Sequence, residues 1–201
     1  MWAGVSSAML RSLAVVVLIL VAGCGRKAQV QATPPVPAGP PEHEVLYREG
    51  IAAFRLATPE GYERAAAGAF RRASQLNASN CEYPMRLAES LAFLAQEQRT
   101  NLEDFSPMLS ETAQVLDARQ AEPACAVFEP IAQRVRGLSL YLKEPIRRQE
   151  GVSMVNRALE LDANDVTSWI VLSRLTTRDA RNPLQRAYEL APGLWRKQRR
   201  P

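Results

Sequence analysis

The sequence is short of the residues and motifs on which most enzymes depend. One histidine and three cysteines occur among 201 residues, and no glycine-rich phosphate loop, His-Glu-x-x-His, Gly-x-Ser-x-Gly or Cys-x-x-Cys motif is present. The histidine, His43, lies between two glutamates at a predicted helix start, where a surface position is expected rather than a catalytic base. We therefore predict a protein that is not an enzyme, with no catalytic residue, no cofactor and no metal site.

Strand patterns are also scarce. Alternating apolar and polar runs rich in Val, Ile and Thr do not occur after residue 45. The chain there is dominated by Ala, Arg, Leu, Glu and Gln, which favour helices, and proline follows a cap-like residue at four points where a helix can begin. The predicted fold class is all-α. Eight helices are expected, near 43–57, 59–77, 81–98, 106–120, 124–143, 145–161, 166–177 and 182–190, with Pro130 kinking or restarting the fifth.

The amino end carries the one long apolar run, SLAVVVLILVA at 12–22, which follows Arg11. A helix of that length spans roughly 16 Å, well short of a hydrocarbon core of about 30 Å. The order of basic, apolar and small residues instead predicts a secretory signal over residues 1–23, with an uncleaved signal anchor as the alternative. The run ends in Leu20-Val21-Ala22-Gly23-Cys24, which resembles the signal of bacterial lipoproteins. The resemblance implies that Cys24 is lipidated and holds the protein on a membrane, facing the periplasm.

A proline-rich segment follows the cysteine. Residues 24–41 comprise the lipidated cysteine and a tether that contains five prolines and has no hydrophobic periodicity. Such a segment is extended and semi-rigid, and in polyproline II it reaches about 50 Å. The folded part, 42–193, is therefore expected to be displayed away from the lipid.

Positive charge is concentrated at the carboxyl end. Of the 25 basic residues, one is Arg11 and four lie in the tail 194–201, so 20 remain against 21 acidic residues. The body of the protein is thus nearly neutral, and we expect no nucleic-acid partner. The tail is interpreted as a soluble end, with binding to an anionic surface as the alternative.

One pattern of small and large apolar residues recurs along the chain. A second-helix pattern is found at Ala66, Phe70, Ala73 and Leu76, at Gly151, Val155, Ala158 and Leu161, and at Ala180, Leu184, Ala187 and Leu190. A first-helix pattern starts at Pro84, Phe128 and Trp169. These spacings resemble the tetratricopeptide repeat, which implies about four antiparallel helix pairs stacked as an α-solenoid.

The resemblance also implies a groove that binds a protein or peptide. In this family the inner face of each first helix lines a concave surface. The positions of this sequence that match are Glu82, Met85, Glu89, Phe93, Glu129, Gln133, Arg136, Thr167, Ile170 and Arg174. Ordinary solvent-exposed helix faces are the alternative for these charged residues. No small-molecule substrate is indicated.

Cys81 and Cys125 are the cysteines that remain once Cys24 is lipidated. An even number in an oxidising compartment fits a disulfide. A bridge needs Cα atoms within about 7 Å, however, whereas packed helix axes lie roughly 8–10 Å apart. A disulfide and two free, partly buried thiols therefore both remain open.

The functional expectation is a lipid-anchored periplasmic scaffold that binds a protein partner and supports assembly or stability of a cell-envelope complex. We place it on the periplasmic face of the outer membrane, with the inner membrane as the alternative. The second functional reading is an envelope enzyme or accessory subunit whose cleft is formed by the insertions near 98–106 or 137–145.

Overall fold

The computed structural model describes residues 39–176 and 181–193. The predicted signal peptide, Cys24, most of the tether, Ala180 and the basic tail lie outside the described residues. In chain order the helices are α1 (Glu42–Phe54), α2 (Pro59–Glu63), a π-helix (Arg64–Phe70), α3 (Arg71–Leu76), α4 (Glu82–Thr100), α5 (Ser106–Gln120), a 3₁₀-helix (Pro123–Phe128), α6 (Glu129–Lys143), a 3₁₀-turn (Pro145–Arg147), α7 (Arg148–Leu161), α8 (Val166–Leu175) and α9 (Arg181–Leu190).

The predicted all-α class is confirmed, because the described ranges contain helices and no strand. The run from α2 through the π-helix to α3 is continuous, so the eight main helices match the eight expected from the sequence. None of the helices within 39–176 and 181–193 has the length and apolar content needed to cross a membrane.

Caps and prolines set the helix boundaries. The Thr58 hydroxyl accepts the backbone N–H of Gly61 at 3.1 Å and Pro59 occupies the first turn of α2, while Asp165 accepts the N–H of Thr167 at 3.2 Å and begins α8. Pro130 has no N–H to donate, so it lies in the first turn of α6 and the chain before it is a separate 3₁₀-helix. The fifth predicted helix is thus two segments.

Neighbouring helices pack as four hairpins: α1 with α2 and α3, α4 with α5, α6 with α7, and α8 with α9. Two adjoining apolar clusters hold them together. The larger one includes Tyr62, Phe93, Val135, Val155 and Leu175, and therefore joins all four hairpins. The smaller one surrounds Phe70 and joins the first hairpin to α4.

Two glycines bring α6 and α7 into backbone contact. A Cβ atom built on Gly137 would lie 2.5 Å from the carbonyl oxygen of Gly151, and one built on Gly151 would lie 2.6 Å from that of Gly137. Helices can approach this closely only where both side chains are missing. The pair therefore determines how closely α6 and α7 pack at this point.

Candidate functional site

A buried group of charges joins the first helices of three hairpins. The Arg134 guanidinium on α6 donates to the carboxylates of Glu89 on α4 and Asp165 at the start of α8. The side chains of Arg134 and Glu89 are 3% and 0% exposed, and that of Asp165 is 13% exposed. Buried charges are tolerated only when they are paired and hydrogen-bonded, so this group is a structural element of the fold.

The pKa of Glu89 reflects two opposing effects. Burial by itself raises the pKa of a carboxyl group, but the nearby guanidinium groups of Arg134 and Arg86 outweigh burial and lower it. Arg86 lies 2.8 Å from Glu89, and although burial lowers the pKa of its own guanidinium, Glu89 raises it overall. Glu89 is therefore held in its ionised form.

The charged group continues towards α1. Arg86 lies 3.6 Å from Glu82, and the hydroxyl of Tyr47 donates to the same glutamate. Burial, followed by the hydrogen bond to Glu82, raises the pKa of Tyr47 to about 12. We call Glu89, Arg134 and Asp165 the buried network, and Tyr47, Glu82 and Arg86 form its half-buried far end.

Further along α4, aromatic side chains of the first hairpin pack against this helix. Phe93 packs against Phe54 and Tyr62, with ring centroids 5.6 and 5.3 Å apart. The Arg174 guanidinium lies 5.2 Å from the centre of the Phe93 ring and donates to Gln96 at 2.6 Å. Arg174, on the fourth hairpin (α8 and α9), therefore contacts the second hairpin (α4 and α5) where an open groove was expected.

This packing corrects part of the predicted groove. Met85, Glu89 and Phe93 are buried, because α6 packs against α4 and Arg174 of α8 lies over the Phe93 ring. The other predicted positions are partly exposed, namely Glu82, Glu129, Gln133, Arg136, Thr167, Ile170 and Arg174. Two of these, Glu129 and Arg136, share a different surface feature with buried Met85.

That feature is a half-open cleft of about 390 Å³ between the end of α5, the 3₁₀-helix and α6. Its floor is apolar, with Met85, Leu116 and Ala132, and its rim is charged. Neither segment suggested by the sequence for an enzymatic cleft, 98–106 or 137–145, contributes a lining residue. The lining residues are Met85, Leu116, Arg119, Gln120, Ala121, Glu122, Pro123, Cys125, Ala126, Glu129, Ala132, Arg136 and Leu161.

The charged groups of the cleft differ in how well they are paired. Arg119 donates to both carboxylate oxygens of Glu122, at 2.8 and 3.0 Å. Glu129 accepts from the Gln133 amide at 2.6 Å. Arg136 makes longer contacts, 3.3 Å to the Gln120 amide oxygen and 4.0 Å to Glu129. The guanidinium of Arg136 is thus the less satisfied of the two cations on the rim.

A disulfide ties one wall of the cleft to the start of α4. Cys81 and Cys125 are bonded, with Cα atoms 5.2 Å apart, and both are buried. The short distance arises because Cys125 lies in the 3₁₀-helix before α6 rather than on a packed α-helix. Glu122 lies 3.4 Å from the sulfur of Cys125, but sulfur atoms joined to each other offer no thiolate to a metal.

Several residues of the site were not predicted. Arg134 lies among Ile131, Val135 and Leu138 on the apolar stripe of α6, and a single charge in such a stripe is a signal of a buried ion pair. The end of α5, with Arg119 and Gln120, matches no part of the repeat pattern. These residues become part of a site only when α5, the 3₁₀-helix and α6 pack together.

A scan against protein-family models and a search of curated proteins both find no match to this chain. The function of this protein is therefore inferred from its own residues and their geometry.

Proposed function

We propose that this protein is a lipid-anchored periplasmic scaffold that holds a peptide segment of a partner protein in the cleft between hairpins 2 and 3. The scaffold is an α-solenoid of four helix pairs, similar to tetratricopeptide repeats, and it supports the assembly or stability of a cell-envelope complex. It has no catalytic role in this proposal.

The observation that carries the proposal is the cleft itself. It combines apolar lining residues with a rim of closely and loosely paired charges, which is the composition of sites that recognise short segments. The buried network, by contrast, is closed to ligands because its charges are satisfied internally. Among the predicted binding residues, Glu129 and Arg136 are therefore the ones that we assign to the partner.

The anchor rests on the sequence. An eleven-residue apolar run that ends in Val21-Ala22 and is followed by Gly23-Cys24 supports acylation of Cys24, and the proline-rich tether would then let the cleft reach a partner roughly 50 Å from the lipid surface.

Crosslinking in membranes tests the binding function. The full chain, expressed in a bacterial host, is crosslinked and recovered from membranes as parent, Arg136→Glu and Arg157→Glu. Arg157 is exposed on α7 and pairs with Glu160, so it is the matched control. We expect Arg136→Glu to recover about tenfold less of the partner than the parent, and Arg157→Glu to recover the same amount.

Equal recovery by all three chains, with equal thermal unfolding, would exclude the cleft as the partner site. Mass spectrometry of the same preparation tests the anchor. An acylated amino terminus at Cys24 supports it, and an unmodified terminus at Met1 contradicts it.

A further inference from the structure

Arg136 is the residue of the cleft whose bonding capacity is least used. A guanidinium offers five N–H donors in a planar fork, yet Arg136 makes one contact of 3.3 Å and one of 4.0 Å. Its side chain is 24% exposed, so it has lost much of its hydration without gaining a short charged hydrogen bond. A ligand carboxylate could accept two parallel hydrogen bonds there, at about 2.7–2.9 Å.

The acidic groups of the cleft are better satisfied. Glu122 accepts two hydrogen bonds from Arg119, and Glu129 accepts a short one from Gln133. A cationic ligand would have to displace these bonds, whereas an anionic ligand would need to displace only the long contacts of Arg136. The charge pattern therefore favours a negatively charged group on the ligand.

The apolar lining of the cleft specifies what lies beside that group. The floor residues Met85, Leu116 and Ala132 are themselves buried, so the apolar surface open to a ligand comes from Leu161, which is 45% exposed, and from exposed Pro123. An aliphatic side chain placed against these two residues removes apolar surface of both partners from water. At about 390 Å³ the cleft is near the lower limit of ligand-binding sites, so it accepts a few residues of a chain rather than a folded surface.

We infer that the segment bound in this cleft carries a carboxylate directly beside an aliphatic side chain, with the carboxylate on Arg136 and the aliphatic group against Leu161 and Pro123. This inference rests on the proposed function of the cleft as a peptide-binding site. The carboxylate comes from an Asp or Glu side chain or from the carboxyl terminus of the segment, since both present the same group.

A matched peptide array tests it. The full chain in detergent micelles is applied to acetylated, amidated peptides that contain Asp-Leu or Glu-Leu pairs in varied flanks. Each peptide has one copy with Asn or Gln in place of the acid and one with Ser in place of Leu. A further set lacks acidic side chains but ends in a free carboxylate after Leu. Dissociation constants of the bound peptides are then measured by fluorescence polarisation.

We expect both replacements to weaken binding, the loss of the acid by about tenfold or more. Arg136→Gln should abolish the preference for acid over amide, and Arg136→Lys should restore only part of it because Lys cannot bind bidentately. Arg157→Gln should keep the parent preference. Tight binding of the free-terminus set would identify the chain end as the source of the carboxylate, and tight binding of the Asp and Glu sets would identify the side chain.

Two results would overturn the inference, and they differ in their meaning. Peptides that bind equally well with acid or amide, or a preference that survives in Arg136→Gln, would exclude this ligand class while leaving a peptide-binding cleft in place. A chain that is folded by circular dichroism and binds no peptide of any set would remove both the inference and the proposed function.

Discussion

Arg134 and Arg136 lie two residues apart on α6, yet they belong to regions of opposite physical character. Arg134 is 3% exposed and donates to two carboxylates from other helices, whereas Arg136 is 24% exposed and makes only long contacts. Two residues along an α-helix are about 200° apart around its axis, so one side chain points between helices and the other points to the cleft.

The two regions should differ in how much the loss of one charge lowers the free energy of unfolding. In the buried network each charge has a fixed partner, so removing one leaves another uncompensated. In the cleft the rim charges remain in contact with water, so removing one has little effect on the free energy of unfolding. The predictions below test this contrast, from the largest expected effect to the smallest.

Replacing Arg134 should destabilise the protein most. In Arg134→Met, Glu89 and Asp165 lose their common partner, and the free energy of unfolding should fall by about 3–5 kcal/mol. Urea unfolding followed by far-UV circular dichroism measures this loss. Arg136→Gln on the same helix is the control, with an expected change within about 0.5 kcal/mol. Equal losses in the two variants would show that the buried network is not distinct from the cleft.

Removing the disulfide should weaken the cleft wall specifically. The bridge closes a loop between residues 44 positions apart, and its loss in Cys81→Ala/Cys125→Ala should cost about 2–4 kcal/mol. Hydrogen exchange should increase in the 3₁₀-helix, residues 123–128, more than around Arg134. A reductant should lower the urea midpoint of the parent and leave that of the variant unchanged. An unchanged midpoint in the reduced parent would argue against the bridge.

Adding a methyl group between α6 and α7 tests the close backbone contact of the helix that carries both arginines. Gly137→Ala places a Cβ atom 2.5 Å from a backbone oxygen, which should reduce stability by about 1–3 kcal/mol despite the better helix propensity of alanine. Gly68 is the matched control, because a Cβ atom there meets nothing within 4 Å. Gly68→Ala should leave stability unchanged or raise it by up to about 1 kcal/mol. A neutral Gly137→Ala would contradict the close backbone contact.

Alkaline pH tests the far end of the buried network with a smaller expected effect. The folded-state pKa of Tyr47 is raised from its ordinary 10.0 to about 12. Because the folded protein holds the neutral phenol, this stabilisation is complete below about pH 10 and is lost as the pH rises through 12. Tyr47→Phe should therefore lose less stability than the parent between these pH values, measured by urea unfolding at each pH. Parallel losses in the two proteins would show that Tyr47 is not coupled to folding.

Local signals predicted most of the fold. Thr58 and Pro59 begin α2, Asp165 begins α8 and Pro130 separates the 3₁₀-helix from α6, because a cap or a proline acts within one turn of its own position. The apolar spacing that includes Gly151, Val155 and Ala158 likewise marks the buried side of α7. These features depend on residues close in sequence, so they can be predicted without knowledge of the tertiary structure.

The candidate site was predicted only in part. Glu129 and Arg136 match first-helix positions of the repeat pattern and line the cleft, but Glu89 and Phe93 match the same pattern and are buried. The repeat pattern describes the contacts of one helix with an idealised neighbour, and it does not predict where α8 lies relative to α4. When Arg174 reaches Gln96 and Phe93, it covers the face that the pattern leaves open.

The sequence by itself determined the helical class, the order and approximate ends of the eight helices, and which face of a helix is apolar, since these depend on interactions within a few residues. Only the tertiary structure decided which arginine of α6 is buried, whether Cys81 and Cys125 lie within bonding distance, and where a cleft remains. Those outcomes depend on how far apart the helices pack and on contacts between residues more than forty positions apart. At α6 and α7 the helix spacing depends on the missing side chains of Gly137 and Gly151. Burial is a property of the assembled neighbours, so the same residue type two positions along one helix lies inside an ion-pair network in one case and at a half-open cleft in the other.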